Sequence, residues 1–320
     1  MARLLFIVML LSVFAARAQY APPAEQEGST AISADSTVFV AWANGCSLRR
    51  GWMNVADTSL GRAAFGDSLN TLGKADNAVV SLGDGGMATL FFSKSVANGN
   101  GWDFAVFENG FTDDFLELAF VEVSSDGEHF FRFDAVSNTQ VDEQVETFGI
   151  LNATKIHNLA GKYRAAYGVP FDLEELKENT ELDVNHIIAI RVVDVVGNIN
   201  NQFSTFDSRG NKINDPWPTP FETGGFDLDA VGVIHNTSTA VMEYQAQWSG
   251  DIYPNPCTTF INVKGNVNFI TIFDAFGRLL SGRQTVISEK KDLSGLPDGL
   301  LLIRMESEDG RTKVVKVIKE

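Results

Sequence analysis

Between Trp102 and Gly127 the chain reads WDFAVFENGFTDDFLELAFVEVSSDG, and this stretch limits the fold more than any other. Two apolar-alternating runs, Asp103–Glu108 and Leu118–Ser124, flank a Gly-containing acidic connection. In the first, Phe104 and Val106 share one face, and Asp103, Ala105 and Phe107 share the other. Period two with Phe and Val enriched predicts half-buried strands. Asn109-Gly110 and Asp126-Gly127 supply residues that tolerate positive φ, so the chain can turn after each run. The stretch specifies an all-β sandwich with carboxylates at strand ends, and it does not specify a reaction.

The first 18 residues stand outside that pattern. Arg3 gives a short basic start, Leu4–Phe14 an apolar run and Ala16-Arg17-Ala18 a small-residue cleavage site. This predicts a signal peptide cut between Ala18 and Gln19. No later segment is long and apolar enough to predict a membrane-spanning helix. Charge then divides the remainder. Residues 19–250 hold 13 basic against 32 acidic side chains, a net of −19, while 251–320 hold 10 against 9. So acidic a region repels phosphate backbones and anionic membranes, which argues against nucleic acid as a partner. Cys46 and Cys257 cannot build a disulfide framework, and the four histidines share no ligand-like spacing.

Along the chain, a polar leader (19–36) precedes a first strand over Thr37–Ala43, and Cys46–Asn77 reads as loop. Ala78–Phe92 predicts a hairpin turning at Gly83-Asp84-Gly85-Gly86; no Lys-Ser/Thr follows, so this is not a phosphate loop. Leu159–Tyr167 and Phe171–Glu178 read as short helical insertions, with Asp172 as an N-cap. His186–Val196 and Phe226–Ile234 predict buried strands. A Ser/Thr/Gln linker (236–250) then separates the 37–235 body from short alternating runs in 251–320, which predict a second, smaller sandwich.

Chemistry-bearing residues are mostly carboxylates. Asp103, Glu108, Asp194, Asp227 and Asp229 lie in or beside strands, where an unpaired buried charge is costly. Three roles are open to them: capping turns, binding Ca²⁺ through dispersed oxygen ligands, or serving as a catalytic acid/base pair. No EF-hand loop, H-E-x-x-H, G-x-S-x-G or P-loop is present, and no base near Cys46 supports it as a nucleophile. Trp102 and Trp217, set among Gly, Asn and Pro, are candidate platforms for a sugar or other ligand; packing at a core edge is the alternative.

VVSLGDGG (79–86), DFAVFENGF (103–111), ELAFVEVSSDG (117–127), NLAGKY (158–163), RVVDVVG (191–197) and DPWPTPFETGGFDLDAVGVI (215–234) together resemble a cell-surface module of Bacteroidetes and PEP-CTERM-type exported proteins. That resemblance implies a jelly-roll-like sandwich at the cell surface and supplies no catalytic residue. Residues 251–320 resemble the type A C-terminal sorting domain of the Bacteroidetes type IX secretion system. The resemblance rests on YPNP (Tyr253, Pro254, Asn255, Pro256), the FDAFGR turn around Gly277, DLSGLPDG ending at Gly299, and KVVKVIK, which contains Lys316. Leu300-Leu301 departs from the aromatic the family often has there. The resemblance implies an Ig-like fold, export to the surface or medium, and as partners the type IX machinery and its C-terminal signal peptidase.

For the 37–235 body, the leading expectation is a non-catalytic module that binds a glycan or small molecule, with Ca²⁺ ordering its loops. A polysaccharide hydrolase using paired carboxylates and a structural surface-layer protein are the alternatives.

Overall fold

The computed structural model describes residues 19–237, 250–286, 289–307 and 311–320. The expected signal peptide, including Ala18, and most of the expected linker lie outside these residues.

The segment 19–237, the passenger, is built from short strands. β1 (Ile32–Ser33), β2 (Ala41–Trp42), β3 (Gly45–Arg49), β4 (Val80–Ser81) and β5 (Met87–Val96) come first. β6 (Phe104–Glu108) and β7 (Ala119–Ser124) are the two runs of the opening motif. β8 (Phe131–Arg132), β9 (Val136–Ser137), β10 (Ile156–His157) and β11 (Tyr167–Phe171) follow, then β12 (Ile187–Asp194) and β13 (Asp227–Val233). One sheet runs β1-β11-β6-β13-β2, with β4 also on β13; the other runs β3-β5-β12-β7-β8. Every pairing is antiparallel. Phe104, Val106, Phe171 and Val231 of the first sheet share one buried cluster with Leu90, Val121, Val123 and Val192 of the second. The passenger is therefore an all-β sandwich, as the alternation predicts.

Four expectations are corrected. Cys46–Asn77 is not loop throughout, because Gly45–Arg49 pairs as β3 with β5. β6 is covered on both faces rather than half-buried, because Ala34, Phe39 and Trp42 of the leader and β2 region pack over Ala105 and Phe107. The run Ala78–Phe92 is not a hairpin, since β4 pairs with β13 and β5 with β3 and β12 in the opposite sheet. Residues 159–167 form no helix: Ala160 bridges Ala119, and a Cβ on Gly161 would stand 1.7 Å from the Glu117 carbonyl. Among the described residues the helical content is four 3₁₀ turns, one of them Leu173–Leu176, where Asp172 does accept from the Glu174 N–H at 2.9 Å.

The strand order has one consequence for function. Several connections cross the sandwich, and three of them, from β4 to β5, from β6 to β7 and from β12 to β13, matter here. Register puts all three at one end: Asp227 faces Ser81 and Leu228 faces Glu108, while Asp194 faces Ala119 and Val193 faces Met87.

The C-terminal body has β14 (Asp251–Tyr253), β15 (Phe260–Lys264), β16 (Phe269–Asp274), β17 (Leu279–Thr285), β18 (Lys290–Asp292), β19 (Gly299–Glu306) and β20 (Arg311–Lys319). The sheet β14-β15-β18 faces β17-β16-β19-β20 across Ile261, Ile270, Ile303, Met305 and Val317. β20 also pairs with β3, joining Thr312 to Leu48, so one sheet runs continuously through both bodies.

Candidate functional site at the crossing end

A strand that leaves a sheet at its edge must turn through backbone whose N–H groups have no ladder partner, and here carboxylates accept them. Asp194, last in β12, accepts from Gly85 N–H (2.9 Å) and Phe226 N–H (2.8 Å), tying two crossings together. Asp215 accepts from Leu118 N–H at 2.7 Å, and Glu108 from Gly110 N–H at 2.7 Å. Asp84 accepts from Val55 N–H (2.7 Å) and from the Trp217 indole (3.1 Å). Asp227 accepts from the Ser81 hydroxyl. Gly225, at φ +74°, permits the closest approach: a Cβ there would lie 2.7 Å from Asp194 Oδ1 and 2.9 Å from Gly83.

Six carboxylates thus belong to the three crossings and their flanking strand ends, counting Glu117, which lies between Glu108 and Leu118. Asp84, Glu108, Asp194, Asp215 and Asp227 are buried, Glu108 to 2% exposure. Among the described residues, none of the six is salt-bridged to Lys, Arg or His, although the Arg50 charge acts on Asp227 from a distance. The consequence is electrostatic. Burial, with the neighbouring Asp227 adding to it, holds Glu108 well above the usual carboxylate range. Burial followed by Asp84 does the same to Asp194, and burial dominates at Asp215. Glu117 is raised by burial and then by Glu108, Asp227, Asp215 and Asp194. Asp227 is pushed up to about 6 by burial, against its Ser81 bond.

Over the same crossings runs an apolar strip. Phe111 and Phe115 of the β6–β7 crossing stack at 6.1 Å, Phe115 meets Phe148 at 6.4 Å, and Phe148 stacks on Phe221 at 6.4 Å. Phe221 belongs to the β12–β13 crossing. Phe148 arrives on the loop after β9, which is pinned by Thr147 Oγ1 donating to the Pro218 carbonyl (2.7 Å) and by Trp217 N–H donating to Val145 (3.0 Å). Phe111 is 80% and Phe148 77% exposed. Large exposed rings in one file mark a contact surface rather than scattered apolar residues.

The residues singled out in the sequence divide between the two ends. Glu108, Asp194 and Asp227 are at the crossing end. Asp103 starts β6 at the opposite end, where it pairs with His235 Nδ1 (2.8 Å) and accepts from Gly99 and Leu173 N–H (both 2.7 Å). Asp229 sits at a bulge in β13 and accepts from Asp76 and Asn77 N–H (both 3.1 Å), holding a surface turn. Among the described residues, no group of three or more acidic, His or Cys side chains is placed as it stands to hold a metal ion. Trp217 belongs to the crossing end and Trp102 neighbours Asp103 at the other, so the two indoles do not form one platform. Both cysteines are free, and burial pushes the Cys46 thiol to about 12, so it is no thiolate nucleophile at neutral pH.

Sequence reasoning missed Asp84, Glu117, Asp215 and the phenylalanine strip. Asp84 reads in the sequence as part of a hairpin turn, and the rings of Phe111, Phe115, Phe148 and Phe221 come together only in the fold. The available signal was that three acidic, Phe-containing connections, 109–118, 139–150 and 195–226, follow apolar strands.

In the C-terminal body, Asn255 clamps the last strand. Its Nδ2 donates to the Lys316 carbonyl at 2.9 Å, and its Oδ1 accepts from Ile318 N–H at 2.9 Å. The YPNP motif therefore seals β20, with Tyr253 and Lys316 exposed beside it. Gly277 and Gly299 take φ of +76° and +123°, the turns the motif requires. Residues 251–320 match the family described as the secretion system C-terminal sorting domain. No curated protein matches the chain.

Proposed function

We propose that this exported protein, directed by its C-terminal sorting domain through the type IX secretion machinery to the cell surface or the medium, carries a ligand-binding passenger whose binding end is the crossing end. One observation carries the reading: the end that holds the buried carboxylates without salt-bridged basic partners also carries the exposed phenylalanine strip, on two of its crossings and the loop after β9. The rings offer faces on which a glycan or small molecule can stack. Residues 1–18 serve as the signal peptide, and the C-terminal signal peptidase is the partner that the sorting domain implies.

Buried carboxylates without cationic partners are neutralised by protons or by a metal ion. Outside the cell, Ca²⁺ is the cation whose preference for oxygen ligands suits them. The donor set at this end is oxygen throughout, which fits calcium in kind. Glu108, Glu117, Asp194, Asp215 and Asp227, with Asp84 beside them, are the residues that would hold it; Asp103 and Asp229 are committed to backbone amides elsewhere. When bound, calcium supplies fixed positive charge that draws the crossings together beneath the strip. The reading is of binding rather than turnover, because five of the six carboxylates are buried under the loops they hold.

Calorimetric titration of residues 19–320 with calcium tests this. Saturable binding that Asp194→Asn together with Glu108→Gln removes is the expected result. Absence of binding by the unaltered protein at millimolar calcium overturns the calcium assignment and leaves the cluster neutralised by protons.

A further inference from the structure

A second site lies where the sorting domain meets the passenger. β20 pairs with the edge of β3, and beside that seam a cavity of about 420 Å³ opens between the two bodies. Its wall carries four arginines, Arg50 and Arg62 from the passenger and Arg283 and Arg304 from the sorting domain. Two carboxylates share the wall, Asp67 and Glu306, and each is already paired, with Arg304 and Arg283 respectively. Four guanidiniums against two carboxylates leave an excess of two positive charges on the wall, with Asp227 behind Arg50, in a chain whose net charge is −16.

The donors are held in place. Arg50 donates to the carbonyls of Phe65 (2.7 Å), Ser81 (2.6 Å) and Gly66 (2.7 Å), and Arg62 donates to the Arg50 carbonyl (2.5 Å) while lying over Trp52. Burial and the nearby Arg304 charge pull Arg50 down to about 10, against the opposing pull of Asp67 and Glu306. An independent observation points to an occupant. The hydroxyls of Ser68 and Thr312, both more than nine-tenths buried, and Nε of Arg304 have no hydrogen-bond partner, and all three residues line this cavity. Buried polar atoms without partners are rare in folded proteins, and a missing ligand is one of their ordinary causes.

We infer that the cavity binds a tetrahedral oxyanion, a sulfate or phosphate group, that bridges passenger and sorting domain. Arginine donors and hydroxyls on one wall suit an acceptor-only ligand of charge near −2. The group arrives either as a free ion or as an ester on a saccharide. Because its ligands come from both bodies, binding ties the sorting domain to the passenger, and removal of residues 251–320 dismantles the site. This inference is independent of the calcium reading.

Calorimetric titration of residues 19–320 with sodium sulfate and, separately, glucose 6-sulfate at constant ionic strength tests it. Saturable sulfate binding identifies the free ion, and binding of the ester alone identifies the saccharide-borne group. Arg304→Gln weakens binding about tenfold or more, as expected for loss of a charged hydrogen-bond donor. Arg304→Gln also breaks the Asp67 pair, so Ser68→Ala is the cleaner variant: its hydroxyl bonds nothing in the protein, so the fold is kept while sulfate binding drops several-fold. Arg278→Gln, on an exposed turn away from the cavity, leaves binding unchanged. No binding of either ligand, or equal binding by the Ser68→Ala and Arg304→Gln proteins, overturns the inference.

Discussion

Asp103, immediately before β6, and Glu108, its last residue, are buried carboxylates, and they show two ways a protein can hide a charge. At its end of β6, Asp103 has a histidine and two backbone amides within 2.8 Å. At the other end, Glu108 has backbone amides and a set of further carboxylates whose charges oppose its own. In the first arrangement every partner opposes the rise that burial gives Asp103. The second is open, since the crossings bring acid to acid and the electrostatic cost remains until a proton or a cation arrives. Burial alone therefore does not separate a structural carboxylate from a functional one; the sign of its neighbours does.

Substitution breaks this comparison most sharply. Asp103→Ala leaves His235 and two buried N–H groups without their acceptor and costs about 3 kcal/mol in urea unfolding. Glu108→Gln, measured in chelator, is neutral or stabilising, because it removes a charge from among like charges. Equal losses for the two variants would erase the distinction.

Proton linkage gives the next largest effect. Asp227 and Asp229 rise from 3.8 to about 6, so the folded state binds more protons than the unfolded chain between those values. Their contribution is full below about pH 4 and is lost as pH rises through 6. Glu108, Asp194 and Asp215, raised further, extend the loss to higher pH. In chelator, the passenger transition is thus expected to lose about 2 kcal/mol between pH 5 and pH 7.5. Asp227→Asn shrinks that loss, and calcium, which replaces the protons at the crossing end, removes the share that Asp229 does not carry. Stability that rises with pH in chelator would contradict the assignment.

Smaller effects sharpen the picture. Phe148→Ser and Phe111→Ser leave the melting temperature nearly unchanged, within about 0.5 kcal/mol, because both rings face solvent. Their loss shows instead as weaker retention of ligand in a glycan or small-molecule screen in calcium. The smallest signal is spectroscopic: Trp217, bonded to Asp84, reports calcium by fluorescence, and Trp217→Phe abolishes the change while Trp102→Phe does not.

What the sequence could disclose follows from the range of each interaction. Period-two alternation is local, so β6, β7, β12, β13 and the sorting-domain strands Phe260–Lys264 and Phe269–Asp274 were legible almost to the residue. The choice of partner strand is not local, and Gly83-Asp84-Gly85-Gly86 reads equally as a hairpin turn or as a crossing until β4 and β5 find separate sheets. The same limit hid the site. Asp194, Glu108 and Asp227 could be named from their strand ends, but Asp84 and Asp215 join them only because three crossings share one end. Asp103, chosen by the same rule, went to the other. β3 was read as loop because Cys46-Ser47-Leu48-Arg49 is polar, and its core contact rests on Leu48.

The most direct measurement is thermal unfolding of residues 19–320 at pH 7.5 in calcium and in chelator. Calcium bound only to the folded state must raise the transition temperature. The account predicts a clear rise for the unaltered protein and for His235→Asn, altered at the Asp103 end, and none for Asp194→Asn combined with Glu108→Gln. Identical melting in calcium and chelator would contradict it and leave the crossing-end carboxylates as neutral acids that hold loops.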